Sequence, residues 1–305
     1  MNNHTMVVIT GPTGVGKTGV GIQLAQLYKS PIISADSRQI YKEIPIGTAA
    51  PTAEEQKLAP HFLIGTKSVT DYYSAYEFEQ EALKLAQKCF NDNPVAFTIG
   101  GSMMYIDAFC NGIDQLPTID PELRKDLILQ YENKGLQYIQ RQLKVLDPVF
   151  YTQVDLKNAK RIIHALEICL MTGQAYSDLR TQPKAKRPFK IIKIGLTMDR
   201  QDLYQRINQR VEIMFESGLE EEARSLIPFR HHNSLNTVGF KELFAYFDGE
   251  YDLERAKELI QRNSRHYAKK QLSWFNRDKK MTWFHPKETE KIAEFIAKEM
   301  AKKTL

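Results

Sequence analysis

The chain has little with which to build a disulfide framework or a metal centre. Its 305 residues include three cysteines, Cys89, Cys110 and Cys169, odd in number and too far apart for a zinc knuckle. They are expected to be reduced core residues. Long apolar runs are missing too, so nothing reaches the roughly 20 residues of a membrane helix, and no charged-then-apolar leader precedes the first motif at Gly11. The expected compartment is the cytoplasm, with no membrane partner. A third lack is acid at one place. The predicted third strand, from Pro94 to Ile99, runs into Gly100-Gly101-Ser102 without an Asp or Glu. Many nucleotide hydrolases place the Mg²⁺-organising Asp at such a strand end, so its absence counts against a hydrolase or motor.

What remains is ordinary globular composition, 42% hydrophobic and 26% charged, in a chain long enough for about two domains. Net charge is +5, but it is unevenly spread. Between Arg255 and Lys280 nine Lys or Arg face only Glu258 and Asp278, a local +7 that leaves the rest at −2. Such asymmetry is the footprint of a polyanion-binding surface, or of a solvated basic helix.

The strongest motif is Gly11-Pro-Thr-Gly-Val-Gly-Lys-Thr18, which fits G-x-x-x-x-G-K-[ST] between the apolar run Met6–Ile9 and a helical pattern from Val20 to Tyr28. Backbone N–H groups of such a loop, with the helix dipole, bind phosphate. The candidate cradle is Gly11, Pro12, Thr13, Gly14, Val15, Gly16, Lys17 and Thr18, with Lys17 on the terminal phosphate and Thr18 on Mg²⁺. The motif alone suggests nucleotide or ATP binding. A second short strand ends at Asp36, at the carboxyl edge where doubly wound sheets bind ligands. That carboxylate has three open readings: a water-mediated Mg²⁺ helper, an acceptor for a nucleophile's proton, or a plain turn cap. Ser102 is placed to donate to a phosphate oxygen or leaving group.

Further along, Ser37–Thr52 reads as a specificity loop with at most a short helix, and His61 as a structural histidine. Tyr72–Phe90 has helical spacing. From about Gln115 the pattern becomes helical throughout, with a break at Gly135 and a stop at Asp147-Pro148. Lys157–Thr172 sets Ile162, Ile163, Leu166 and Cys169 on an apolar side and Lys157, Lys160, Arg161 and His164 on a basic one, suited to a phosphate backbone. Pro183–Pro188 is a basic connector, Phe189–Leu196 a fourth strand and Met281–His285 a candidate edge strand. Leu203–Gly218 puts Arg206 and Arg210 one turn apart, able to clamp a diphosphate or to form surface ion pairs. The fold class is α/β: a P-loop NTPase-like parallel sheet flanked by helices, with residues 1–115 and 188–305 as core and 116–187 as an inserted helical domain.

These pieces in order resemble one family, the tRNA dimethylallyltransferases or tRNA isopentenyltransferases of bacterial type. The resemblance rests on Gly11–Thr18, Asp36-Ser-Arg-Gln-Ile-Tyr41, Ile46-Gly-Thr48, Pro60-His61, Tyr73-Ser-Ala75, Gly100–Tyr105, Asp147-Pro148, Lys160–Glu167, Val238–Glu242 and Arg265–Trp274. It implies transfer of a dimethylallyl group from dimethylallyl diphosphate to N6 of adenosine 37, in tRNAs reading codons that begin with U. The loop would then hold diphosphate rather than ATP, with Mg²⁺ on Thr18. Lys17 and Arg210 would neutralise the leaving group, Ser102 would stand where the family usually has Thr, and Asp36 would take the amine proton. The family's contacts to the anticodon stem-loop map onto Asp36, Ser37, Arg38, Gln39, Ser102, Arg124, Lys160, Arg161, Ile162, Ile163, His164, Asn236, Thr237, Val238, Gly239, Phe240, Lys241, Lys269, Lys270, Gln271 and Trp274. Three positions depart from the family pattern: His164 and Asn276 stand where Arg is usual, and Phe240 replaces a common Tyr. No obligate protein partner is expected and the chain is read as a monomer. The competing readings are a small-molecule kinase with Asp36 as base, a prenyltransferase of free adenine nucleotides, and an RNA-binding protein with a degenerate loop. Basic stripes argue against the first two, and intact Lys17 and Thr18 against the third.

Overall fold

Thr5–Thr10 (β1) consists almost wholly of β-branched and apolar residues, all buried, as befits a strand with neighbours on both edges and helices on both faces. The structure, a computed structural model, describes residues 4–180 and 185–302. Pro183 and Lys184 of the basic connector lie outside the described residues. With β2 (Ile32–Ser34), β3 (His61–Phe62), β4 (Val95–Ile99), β5 (Lys190–Leu196) and β6 (Thr282–Phe284), β1 forms a six-stranded sheet of order β3-β2-β4-β1-β5-β6. Every pairing is parallel, and Val7 of β1 lies opposite Phe97 on one side and Ile192 on the other. The chain is an α/β protein of P-loop NTPase-like fold.

The period of two along β1 divides the core into two layers. Val7 and Ile9 pack with Val20 and Leu24 of the Lys17–Leu27 helix and with Ile292 and Ile296 of the Thr289–Ala301 helix. Met6 and Val8 face the other way, toward Phe78 and Ala82 of the Ala75–Asp92 helix and Ile106 and Phe109 of the Met103–Asn111 helix. Ser74 and Glu77 open the Ala75–Asp92 helix with a reciprocal capping box.

Contacts divide the chain into two compact units, residues 1–110 with 186–305, and residues 111–185. The second is helical: Pro121–Lys134, Leu136–Leu146, Pro148–Gln153, Ala159–Thr172 and Tyr176–Leu179. Its core joins Leu127, Ile139, Leu143, Phe150, Ile162 and Leu166. Gly135, at φ 79°, makes the expected break between the first two helices. Two buried carboxylates brace the unit. Asp147 Oδ1 caps Phe150 N at 2.8 Å and also accepts from the Ser177 hydroxyl at 2.8 Å, while Oδ2 accepts from Ser177 N at 2.7 Å. Glu167 accepts from Arg124 Nε at 2.6 Å and Nη2 at 2.8 Å.

Candidate active site

The site is assembled at the carboxyl ends of β1, β2 and β4, where the parallel sheet aims three turns at one place. After β1 the chain turns at Gly11 with φ 151°, and a Cβ there would lie 2.6 Å from the Leu196 carbonyl oxygen, so only glycine permits the loop. Gly16 caps the Lys17–Leu27 helix in a left-handed conformation. The Lys17 ammonium folds back on the loop, donating to the carbonyls of Gly11 at 3.0 Å and Pro12 at 2.8 Å. Burial brings it down to about 8, with the Asp36 carboxylate opposing that drop and the Arg210 guanidinium adding to it.

Two more cations reach the loop from the Arg200–Glu216 helix. Arg206 Nε donates to the Gly14 carbonyl at 2.9 Å; Arg210 donates to Thr13 Oγ1 at 3.4 Å and to the Thr48 carbonyl at 3.0 Å. Both arginines thus reach the phosphate loop from the same helix. The Thr48 segment is fixed from elsewhere: Glu222 accepts from Ile46 N and Gly47 N, both at 2.8 Å, and burial raises its carboxyl above the usual range. Gln39 completes the brace through the carbonyls of Thr48 and Ala49 at 3.2 and 3.1 Å.

Asp36 ends the turn after β2. Its Oδ1 accepts from Arg38 N at 2.9 Å and Gln39 N at 3.3 Å, whereas Oδ2 receives no protein donor among the described residues. The cap and the proton acceptor are therefore compatible, one oxygen for each. Ser102 is buried, and its oxygen accepts from Ser37 N at 2.7 Å and contacts the Ser37 hydroxyl at 3.1 Å. Through these two bonds Ser102 holds the Asp36 turn against the end of β4.

Two cavities meet over the loop. One, of about 440 Å³, is lined by Thr13, Lys17, Thr18, Arg206 and Arg210 and runs out to Ile32, His61 and Ile99. The other, of about 320 Å³, is lined by Ser37, Arg38, Asn236–Gly239, Lys241 and Ser264. They share Thr13, Asp36, Thr48, Arg210 and Tyr267. Burial pushes the Tyr267 phenol up to about 12, with Asp36 adding to the rise. His61 lines the first cavity while its Nδ1 stays bonded to the Ala59 carbonyl at 2.7 Å, and burial lowers its pKa.

Of the remaining expected contacts, Lys160, Arg161, Asn236, Lys241, Lys269 and Lys270 are exposed, and Trp274 is half-buried. Others are engaged within the protein. Ile162, Ile163 and Phe240 have their side chains in the core, Phe240 packing so closely under Gly47 that a Cβ there would sit 2.6 Å from its ring. Arg124 and His164 turn to Glu167, the latter at 3.5 Å, and Gln271 is buried against the phosphate loop. Arg265, which shares a face with Lys269, is held by Asn208 at 2.5 Å. The role of Glu222 escapes the motifs, its one available signal being the apolar spacing that seats its helix on the core; Tyr267 falls within the Arg265–Trp274 segment, which marks the stretch but not this side chain's place beside Asp36.

A loop after the central strand, with cations converging on it from two helices, is the arrangement of a P-loop-type fold, in which such a loop can receive a phosphate group. The family model described as IPP transferase matches residues 39–278, and the chain belongs to that family. It is 53% identical to tRNA dimethylallyltransferase 1 of Bacteroides thetaiotaomicron, over 96% of this chain and 95% of that protein. It is 54% identical to tRNA dimethylallyltransferase 2 of Parabacteroides distasonis, over 97% and 99%. Among solved structures, a full-length tRNA isopentenylpyrophosphate transferase from Bacillus halodurans is similar at 35% identity and a TM-score of 0.72, with 97% of each chain covered. A eukaryotic dimethylallyltransferase acting on tRNA is similar at 26% identity and a TM-score of 0.73, covering 89% of this chain and 69% of that one.

Proposed function

We propose that the protein transfers a dimethylallyl group from dimethylallyl diphosphate to N6 of adenosine 37 in tRNAs that read codons beginning with U. The observation that carries this is the pair of cavities meeting at Asp36 and Arg210, one floored by the phosphate loop and the other opening toward Asn236–Lys241. The diphosphate occupies the first, and the adenine, turned out of its stack, enters the second. In the transfer the C1–O bond breaks, its electron pair leaves with the diphosphate, and C1 bonds to N6. Lys17 and Arg210 offset the negative charge that builds on the departing oxygen. Asp36 Oδ2, which receives no donor from the described residues, takes the proton that N6 sheds.

For Mg²⁺ the donors at hand are sparse: the Thr18 hydroxyl lies in the cavity with Asp36, and among the described residues no cluster of His, Cys, Asp or Glu could cage a metal. That suits an ion that keeps its waters and takes substrate phosphates as ligands. Thr18 would hold it against the diphosphate, where when bound it supplies further charge neutralisation. We read the chain as acting alone, and no helix of the described residues is long and apolar enough to cross a membrane. We place the activity in the cytoplasm, with its RNA substrate.

Incubation with labelled dimethylallyl diphosphate, Mg²⁺ and a tRNA carrying adenosines 36, 37 and 38 is expected to label the RNA at position 37. Label on AMP but not on tRNA would overturn the reading in favour of a free-nucleotide prenyltransferase. The basic helix should carry part of the RNA affinity. Replacing exposed Lys269 and Lys270 by Ala is expected to weaken tRNA binding and to flatten the log–log salt dependence by about 2, one unit per lost phosphate contact. An unchanged slope in filter-binding titrations would take these lysines off the RNA.

A further inference from the structure

Gln271 is 2% exposed, yet it lies on the Leu253–Phe275 helix, the one that carries the chain's densest positive charge. Both ends of its carboxamide are engaged, and both partners belong to the phosphate site. Oε1 accepts from the backbone N–H of Thr13 at 2.8 Å, and Nε2 donates to the Gly101 carbonyl at 2.8 Å. One side chain therefore ties the turn of the phosphate loop to the turn after β4, the turn whose next residue, Ser102, holds the Asp36 segment through Ser37 N. The fit is close: a Cβ on residue 101 would meet Gln271 Nε2 at 2.4 Å and approach Lys17 Nζ at 3.5 Å, so the side chain at 271 and the glycine at 101 require each other. On the outer side of the same helical turn Lys269 and Lys270 are exposed, and with His266, Ser273, Trp274 and Arg277 they line an open groove.

We propose that Gln271 is a positioning residue that links the basic helix face to the diphosphate site, so that RNA seated on Lys269 and Lys270 tightens the phosphate loop through the Thr13 and Gly101 hydrogen bonds. The link rests on the RNA-modifying function proposed above, and it removes Gln271 from the RNA-contacting residues. A helix turn is stiff over one residue. A load on residues 269 and 270 is delivered to the carboxamide at 271 with little slack, and the two acceptor and donor arms convert it into the direction of the Thr13 N–H and the placement of the Asp36 turn. By linkage the effect is mutual: whatever factor RNA lends to diphosphate affinity, diphosphate lends to RNA affinity.

The test measures the affinity of the intact protein for inorganic pyrophosphate with and without an anticodon stem-loop RNA, by calorimetry. In the wild type the RNA is expected to tighten pyrophosphate binding by about fivefold or more, within the usual range of coupling. In Gln271→Met, a side chain of similar length without the two hydrogen bonds, that ratio should fall to near one while RNA affinity in the absence of pyrophosphate stays within twofold of wild type. Transfer should then show a raised KM for dimethylallyl diphosphate and a kcat about 10²-fold lower, the cost of a misplaced reacting group, with KM for RNA raised by no more than the lost coupling factor. Gln271→Glu retains the acceptor for Thr13 and loses the donor to Gly101. It serves if the Met variant does not fold, and the same loss of coupling is expected. Coupling preserved in either folded variant, or no coupling in the wild type, would overturn the proposal; so would a drop of tenfold or more in RNA affinity, which would make Gln271 a direct RNA contact. Failure of the wild type to label tRNA would instead strike the proposed function, and this separates the two.

Discussion

Asp36→Asn is expected to lower dimethylallyl transfer by about 10² or more while leaving tRNA affinity near wild type. Asparagine is the informative replacement because the two oxygens of Asp36 have different work. Oδ1 closes the turn by accepting from Arg38 and Gln39, which an amide oxygen can continue to do. Oδ2 faces no donor among the described residues, and only a carboxylate oxygen there can accept the proton lost from N6. The amine of adenine is a weak nucleophile, so C–N bond formation without proton removal leaves a cationic product with no neighbour to relieve it. Single-turnover transfer with saturating tRNA reads the chemical step, and a gel-shift titration reads binding. Equal losses in both would make Asp36 a structural cap and return its base role to another group.

The difference between a cap and a base at this position shows what could be read from sequence. β1, the Gly-rich loop and the helix after it are local patterns, and the structure places them together because a buried β-branched strand followed by glycines has few alternatives. Helical spacing likewise put Ile162 and Ile163 on an apolar side, where the structure has them; it was the segment-level resemblance that counted them among RNA contacts. A matching segment marks where a surface is, not which way each side chain points. β3 carries no pattern because it is two residues long, and it exists only because β2 offers an open edge. Gln271 is invisible for another reason: its bond to Thr13 spans 258 residues of sequence, and on a helix dense in lysine a glutamine reads as solvent-facing. Glu222 in a run of three glutamates is hidden in the same way, although its carboxylate anchors the loop that receives Arg210.

Lys17→Met is expected to abolish transfer to within detection, at least about 10³-fold, and yet to raise thermal stability near neutral pH. Both follow from one buried ammonium. In the folded protein burial holds Lys17 at about 8, against 10.5 for a free lysine. A group whose folded pKa is lowered costs stability wherever the unfolded chain is protonated. The cost is fully present below pH 8, shrinks between 8 and 10.5, and is gone above. The 2.5-unit gap corresponds to about 3 kcal/mol; solvent reach and the lost bonds to the Gly11 and Pro12 carbonyls reduce the gain from methionine to about 1–2 kcal/mol. The function uses the same charge in the opposite sense. Diphosphate binding restores a partner to the ammonium, so kcat/KM for dimethylallyl diphosphate in the wild type should fall as pH rises through about 8, approaching tenfold per unit. Melting curves from pH 7 to 10 should show the advantage of Lys17→Met shrinking over the interval in which wild-type diphosphate affinity declines. A methionine variant less stable than wild type at pH 7 would mean that the ammonium holds the empty loop together rather than waiting for its anion.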